Sequence, residues 1–81
     1  MSKPLVLTVI GSDHPGIVNL LSDVAQRYGA NWADSRMASL AGQFAGIVHF
    51  DVPDQNAEAL ANALRGLVAS GLHVAITVGD P

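Results

Sequence analysis

The stretch Asp13-His14-Pro15-Gly16-Ile17-Val18, with Gly29-Ala30-Asn31 eleven to thirteen residues beyond it, decides how this chain is read. It is preceded by an apolar run and contains a Pro-Gly pair that opens a helical pattern. That pattern stops at a glycine, and an asparagine follows almost at once. The grammar is strand, tight turn, helix, strand. Pro15 suits the first helical position, which makes Asp13 or His14 the expected N-cap. The first turn of a helix leaves backbone N–H groups without intrahelical acceptors, and the helix dipole favours negative charge there. The expectation is a helix N-terminus beside a strand that offers a polar side chain, a place suited to a small anionic molecule such as an amino acid.

Outward from that centre the pattern is regular. Pro4 to Ile10 (PLVLTVI) is nearly continuous apolar sequence rich in β-branched residues and reads as a central strand, followed by a loop from Gly11 to Gly16. Ile17, Leu20, Leu21, Val24 and Tyr28 recur at helical spacing, flanked by Val18 and Ala25, and Gly29 closes the helix in the left-handed position. Asn31 to Leu40 alternates imperfectly as a second strand. Ala41-Gly42-Gln43 forms a hairpin turn, and Phe44 to Val52 forms a third strand. On that strand Phe44, Val48, Phe50 and Val52 share one face, and Ala45, Ile47, His49 and Asp51 share the other.

Pro53 ends the third strand and Asp54 is the expected cap of a second helix. Its apolar stripe is Ala57, Leu60, Ala61, Leu64, Leu67 and Val68, and Gly71 stops it. Leu72 to Val78 is the last strand, and Gly79-Asp80-Pro81 reads as the start of a linker. The order β-α-β-β-α-β specifies an α+β, ferredoxin-like sandwich: a four-stranded antiparallel sheet in the order 4-1-3-2 with both helices on one face.

Composition narrows the function. The chain has 81 residues, a net charge of −3, 49% hydrophobic residues and no cysteine. A single domain of this size buries only roughly 60–65% of its unfolded surface, so a generous apolar content points to a covering partner, first of all a second copy. Without cysteine there is neither a disulfide nor a thiolate metal site. No apolar run approaches the roughly 20 residues of a membrane span, and no signal peptide is present, so the cytoplasm is the expected location. Lys3, Arg27, Arg36 and Arg65 are scattered, too few for the clustered phosphate contacts of direct nucleic-acid binding.

Catalytic patterns are absent. Ser12, Asp13 and His14 are adjacent in sequence, whereas nucleophile, base and orienting group must converge in space. His14, His49 and His73 lack ligand spacing, and the strand order separates the last two by the first strand, so no metal and no cofactor are expected. Tyr28 and Trp32 read as packing residues. Asp34 and Arg36 share one face of the second strand, with Ser35 on the other. The helix-free sheet face, with Thr8, Ile47, His49, Ala75 and Thr77, is less polar than a solvated face.

Three segments together, Val9 to Val18, Gly29 to Met37 and Leu40 to Phe44, resemble the ACT domain, a regulatory module of ferredoxin-like fold that binds amino acids. The resemblance covers Leu5 to about Val78. The Asp34-Ser35-Arg36 segment and the Ala41-Gly42-Gln43-Phe44 turn are most similar to the branch that contains glycine cleavage system transcriptional repressors. The resemblance implies a non-enzymatic domain that pairs with a copy of itself or with a second ACT domain, the chain being a single domain over 1–81 or the N-terminal half of a tandem. It also implies a small amino acid of the glycine or serine class held at the interface, and a regulator protein as partner. One domain would supply Asp13, His14, Pro15, Gly16, Ile17 and Val18, and the other Asn31, with Asp34 nearby. The loop departs from the serine-sensing ACT domain of phosphoglycerate dehydrogenase, which has histidine where Gly11 stands and asparagine where Asp13 stands; Asp13 repels a carboxylate and accepts from an ammonium group. Two further readings share the fold: a ligand-free dimerisation or protein-interaction module, and an accessory regulatory domain of an amino-acid or one-carbon enzyme such as formyltetrahydrofolate deformylase.

Overall fold

A computed structural model describes residues 1–12 and 16–79. Strand β1 (Ser2–Ser12) leads to helix α1 (Ile17–Arg27), strand β2 (Asn31–Leu40), strand β3 (Gln43–Pro53), helix α2 (Asp54–Arg65), a 3₁₀ turn (Gly66–Ser70) and strand β4 (His73–Val78). The four strands form one sheet in the order β2-β3-β1-β4, and every neighbouring pair is antiparallel. Read from the other edge this is 4-1-3-2, the ferredoxin-like arrangement expected from the element order.

Period-two alternation places Leu5, Leu7 and Val9 of β1 and Phe44, Val48, Phe50 and Val52 of β3 on the core side, all buried. Ile17, Leu21, Val24 and Ala25 of α1 and Ala57, Leu60, Ala61 and Leu64 of α2 close the core from above, their three- and four-residue steps forming one stripe per helix. Trp32 and Tyr28 pack against this core as expected; the Trp32 ring meets Phe50 edge to face, with centroids 5.4 Å apart.

Several boundaries differ from the sequence reading. Gly11 and Ser12, read as loop, extend β1 and pair with Phe44 and Gln43. The cap of α1 is Gly16, at φ 91° and ψ −2°, rather than Asp13 or His14, and its first residue is Ile17 rather than Pro15. A left-handed cap needs a residue without a Cβ penalty, which Gly16 supplies. Asp13, His14 and Pro15 themselves lie outside the described residues.

Asp54 is the first residue of α2 and not its cap. Pro53 occupies the cap, no side chain caps the helix, and the Asp54 N–H donates to the Met1 carbonyl at 3.0 Å. The second helix ends at Arg65, and the chain tightens into the 3₁₀ turn before Gly71, at φ 86°, stops it. The change from 3.6 to 3 residues per turn rotates Val68 out of the apolar stripe and leaves it exposed. Gly79, read as linker, donates to the Pro4 carbonyl at 2.8 Å and prolongs the sheet edge; Asp80 and Pro81 lie outside the described residues.

Candidate functional site

The opening of α1 is built from Gly16, Ile17 and Val18. The Gly16 carbonyl accepts the first intrahelical bond, from Leu20 N–H at 2.9 Å, and among the described residues no side chain caps the helix. The N–H groups of Ile17 and Val18 therefore have no acceptor within the helix. Burial of the Ile17 side chain in the core fixes these donors relative to the sheet, while Val18 is exposed. Among the described residues, a Cβ placed on Gly16 would meet nothing within 4 Å.

The other end of α1 is closed by a Schellman arrangement, with Gly29 N–H donating to Gln26 O at 3.1 Å and Ala30 N–H to Ala25 O at 3.0 Å. The Asn56 amide donates to Tyr28 O at 2.8 Å and ties the start of α2 to this end of α1. The chain then enters β2 at Asn31, which is exposed and lies opposite Asp51 in the register, itself opposite Pro4.

That register separates the expected site residues within one chain. Asn31 lies level with Pro4 at the beginning of β1, whereas Gly16 follows Ser12 at its end. Eight strand residues intervene, roughly 25 Å along the sheet. The helix N-terminus and Asn31 are not neighbours in a single copy because α1 runs back against β1, bringing its C-terminal end, not its N-terminal end, to the start of β2. Asn31 and Asp34 both lie on the helix-free face, and one oxygen of Asp34 accepts from the Ser35 N–H at 2.8 Å.

The position of Gly11 has its own physical reason. A Cβ there would lie 2.6 Å from Leu72 Cδ2 and 3.3 Å from Gly71 O, so the buried Leu72 side chain fills the space that a side chain at position 11 would need.

The helix-free face carries Pro4, Val6, Thr8 and Ile10 of β1, Asp51, His49, Ile47 and Ala45 of β3, Asp34, Arg36 and Ala38 of β2, and His73, Ala75 and Thr77 of β4. Sequence alternation identified the β3 and β4 residues and Thr8 but omitted Pro4, Val6 and Ile10. It also left open which β2 residues join them. A bulge between Trp32 and Asp34 shifts the register by one, turning Trp32 to the core and Asp34 and Arg36 to the open face. The faulty alternation of Asn31 to Leu40 is the sequence trace of that bulge.

A shallow cavity of about 270 Å³ on this face is lined by Pro4, Val6, Ile47 and His49 with Asp34, Ser35 and Arg36 at the β2 side. His49 Nε2 lies 3.2 Å from Asp51 Oδ1, but the contact lacks hydrogen-bond alignment and Nε2 itself is shielded from solvent. His49 and His73 share the face with β1 between their strands. Among the described residues no group of three His, Asp or Glu side chains is placed to hold a metal ion, and no helix is long and apolar enough to cross a membrane.

The sequence profile of the ACT domain matches residues 3–77. No curated protein matches the chain by sequence. Among solved structures, the chain is similar over its full length to a protein assigned as a glycine cleavage system transcriptional repressor, with TM-score 0.92, 26% identity and 48% of that chain covered. A protein of unknown function from Galdieria sulphuraria is similar over 100% of this chain and 47% of its own, at 30% identity and TM-score 0.79. The chain thus spans about half the length of each of these two relatives. A formyltetrahydrofolate deformylase from Burkholderia mallei shares the fold over 90% of this chain and 27% of its own, with TM-score 0.79 at 16% identity. The ferredoxin-like topology, the glycine that opens α1 and the profile match over nearly every residue agree: this chain belongs to the ACT domain family, whose members are regulatory domains.

Proposed function

We propose that this ACT domain, similar to a glycine cleavage system transcriptional repressor, binds a small amino acid of the glycine or serine class between two paired domains and passes the signal to a protein partner. The observation that carries the reading is the start of α1. Gly16 in the left-handed conformation opens a helix whose Ile17 and Val18 N–H groups have no side-chain cap among the described residues. In this reading those N–H groups, with that of Gly16, receive the ligand carboxylate. Asp13 in the same loop accepts from the ligand ammonium, and His14 and Pro15 belong to that loop. Asn31, with Asp34 farther along the same strand face, comes from the second domain.

Asn31 and the helix start lie at opposite ends of α1, itself about 16 Å long, which supports a two-domain site, since a ligand of about five to seven heavy atoms cannot span that length. The second domain is another copy of this chain or a further ACT domain. Binding then stabilises the pair over the separated domains, which is how a ligand of this size biases an equilibrium read by a third protein.

The test is thermal-shift and titration measurement against glycine and serine, with the Asn31→Ala variant beside the parent chain. Loss of a hydrogen bond to a charged ammonium costs about 1.5–3 kcal/mol, so the affinity should fall roughly tenfold to a hundredfold while the unliganded Tm stays within about 2 °C. Unchanged affinity removes Asn31 from the site. A stable dimer that responds to no amino acid favours the ligand-free interaction module instead.

A further inference from the structure

An α-ammonium group carries three N–H donors and a full positive charge. In the amino-acid site proposed above it meets two acceptors, Asp13 of the loop and the side-chain amide oxygen of Asn31. A charged donor left unpaired at an interface costs more than a neutral one, so the site calls for a third acceptor close to Asn31. The sheet register supplies one. Asn31, at the start of β2, stands directly opposite Asp51 of β3, and both residues are on the helix-free face. Opposed residues on one face of an antiparallel pair hold their Cβ atoms roughly 4.5–5.5 Å apart. One ammonium nitrogen therefore reaches the Asn31 amide oxygen and an Asp51 carboxylate oxygen together.

The Asp51 carboxylate is available for this role. Its side chain is 44% exposed. On its other side stands Pro4 of β1, which offers no side-chain donor. Among the described residues no side chain or backbone group donates a hydrogen bond to Asp51, and its one ion-pair contact, with His49 Nε2 at 3.2 Å, lacks hydrogen-bond alignment. Asp34 is less well placed. It lies beyond the bulge, opposite His49, and one of its oxygens already accepts from the Ser35 N–H.

We propose, resting on the amino-acid reading above, that Asp51 is the charged acceptor for the ligand's ammonium group and sets the preference for amino acids over the corresponding hydroxy acids. Pairing of β2 with β3 fixes Asp51 beside Asn31. Whatever brings Asn31 against the helix start of the other domain brings Asp51 with it. The zwitterion then lies with its carboxylate at the positive end of α1 in one domain and its ammonium on the Asn31–Asp51 pair of the other, opposite charges matched at both ends. A hydroxy acid keeps the carboxylate and replaces the ammonium by a neutral hydroxyl. Asp51 forms no charge pair with it and repels its net negative charge, so discrimination comes from the repulsive element as well as the attractive one.

The experiment is titration calorimetry of the intact chain with glycine, L-serine and glycolate. The parent, Asp51→Asn, Asn31→Ala and Asp54→Asn chains are compared, with folding of each checked by circular dichroism. Asp51→Asn keeps the side chain's size on a half-exposed residue, so folding is retained. It should weaken glycine and serine on the order of tenfold to a hundredfold, and leave glycolate binding unchanged or tighter. Asp54→Asn removes a nearby exposed carboxylate at the start of α2 that does not face Asn31, and should change affinity by less than about twofold after screening. Parent-like glycine affinity in Asp51→Asn, beside a loss in Asn31→Ala, overturns the assignment of Asp51 and leaves the amino-acid site standing. An equal loss for glycine and glycolate also overturns it, because Asp51 then only holds the strand pair in shape. So does an equal loss in Asp54→Asn, which assigns the effect to net charge. A parent that binds neither glycine nor serine removes the amino-acid reading and this inference with it.

Discussion

Gly11 shows how one residue records its surroundings. Its position is read as loop in the sequence because glycine interrupts an apolar run, yet it is a paired strand residue held without a side chain by Leu72. Leu72 is 2% exposed and enclosed by the core, so it cannot simply swing aside. Gly11→Ala should therefore destabilise the domain by about 1–3 kcal/mol, the usual cost of overpacking, seen as a lower urea midpoint at unchanged m-value. A parent-like midpoint would mean that Leu72 yields freely. Gly16 is glycine for a different reason: its backbone is left-handed, and no described residue crowds the place of a Cβ. The sequence gives both residues as glycines near a turn; only the packing separates the sterically excluded side chain from the conformationally excluded one. The candidate site was legible at this scale as residue types, namely a Pro-Gly helix start and an asparagine after the helix's end.

At the scale of elements, strands and helices were legible because their apolar periods differ, two against three to four, and because each helix of this chain ends near a glycine. Errors fell where local chemistry allowed two solutions. Asp54 has the side chain of a good cap, but its N–H donates to Met1 O and it is the first helical residue, with the cap one residue earlier at Pro53. The β2–β3 hairpin turns through Ala41 and Gly42 at φ 52° and 76°. Two successive positive φ values define a type I′ turn, whose preferred pair is Asn-Gly. Alanine at the first position carries left-handed strain of about 1–2 kcal/mol, which asparagine partly relieves. Ala41→Asn should raise stability by about 0.5–1 kcal/mol, measurable as a Tm increase of several degrees. A lower Tm would show that the turn needs the alanine methyl for packing the structure does not reveal. The bulge at Ala33 is a finer case. The sequence registers it as broken alternation, but which residues it turns outward follows only from pairing with β3.

At the scale of the whole molecule, the sheet has one face under two helices and one face open, and its candidate site residues lie at opposite ends. Both facts direct attention to a second domain. If pairing contributes to stability, Tm must depend on protein concentration, because association draws the folded state by mass action. We expect Tm to rise by several degrees between about 5 µM and 500 µM chain; a Tm constant over that range would place all of the stability within one copy. What the sequence determined by itself is the order of elements, the residues of the buried stripes apart from Val68, and the antiparallel sheet order. These follow from short-range periodicity, from glycine and proline conformational limits and from the handedness of crossovers, all of which are local properties of the chain. Only the tertiary structure decided that Gly16 caps α1, that Leu72 excludes a side chain at Gly11, that Asp34 and Arg36 join Ile47 on the open face, and that Asn31 stands a sheet's length from the helix start. Each of these depends on register and on the direction in which α1 returns along β1, and register is set by which strands meet rather than by any residue's own preference.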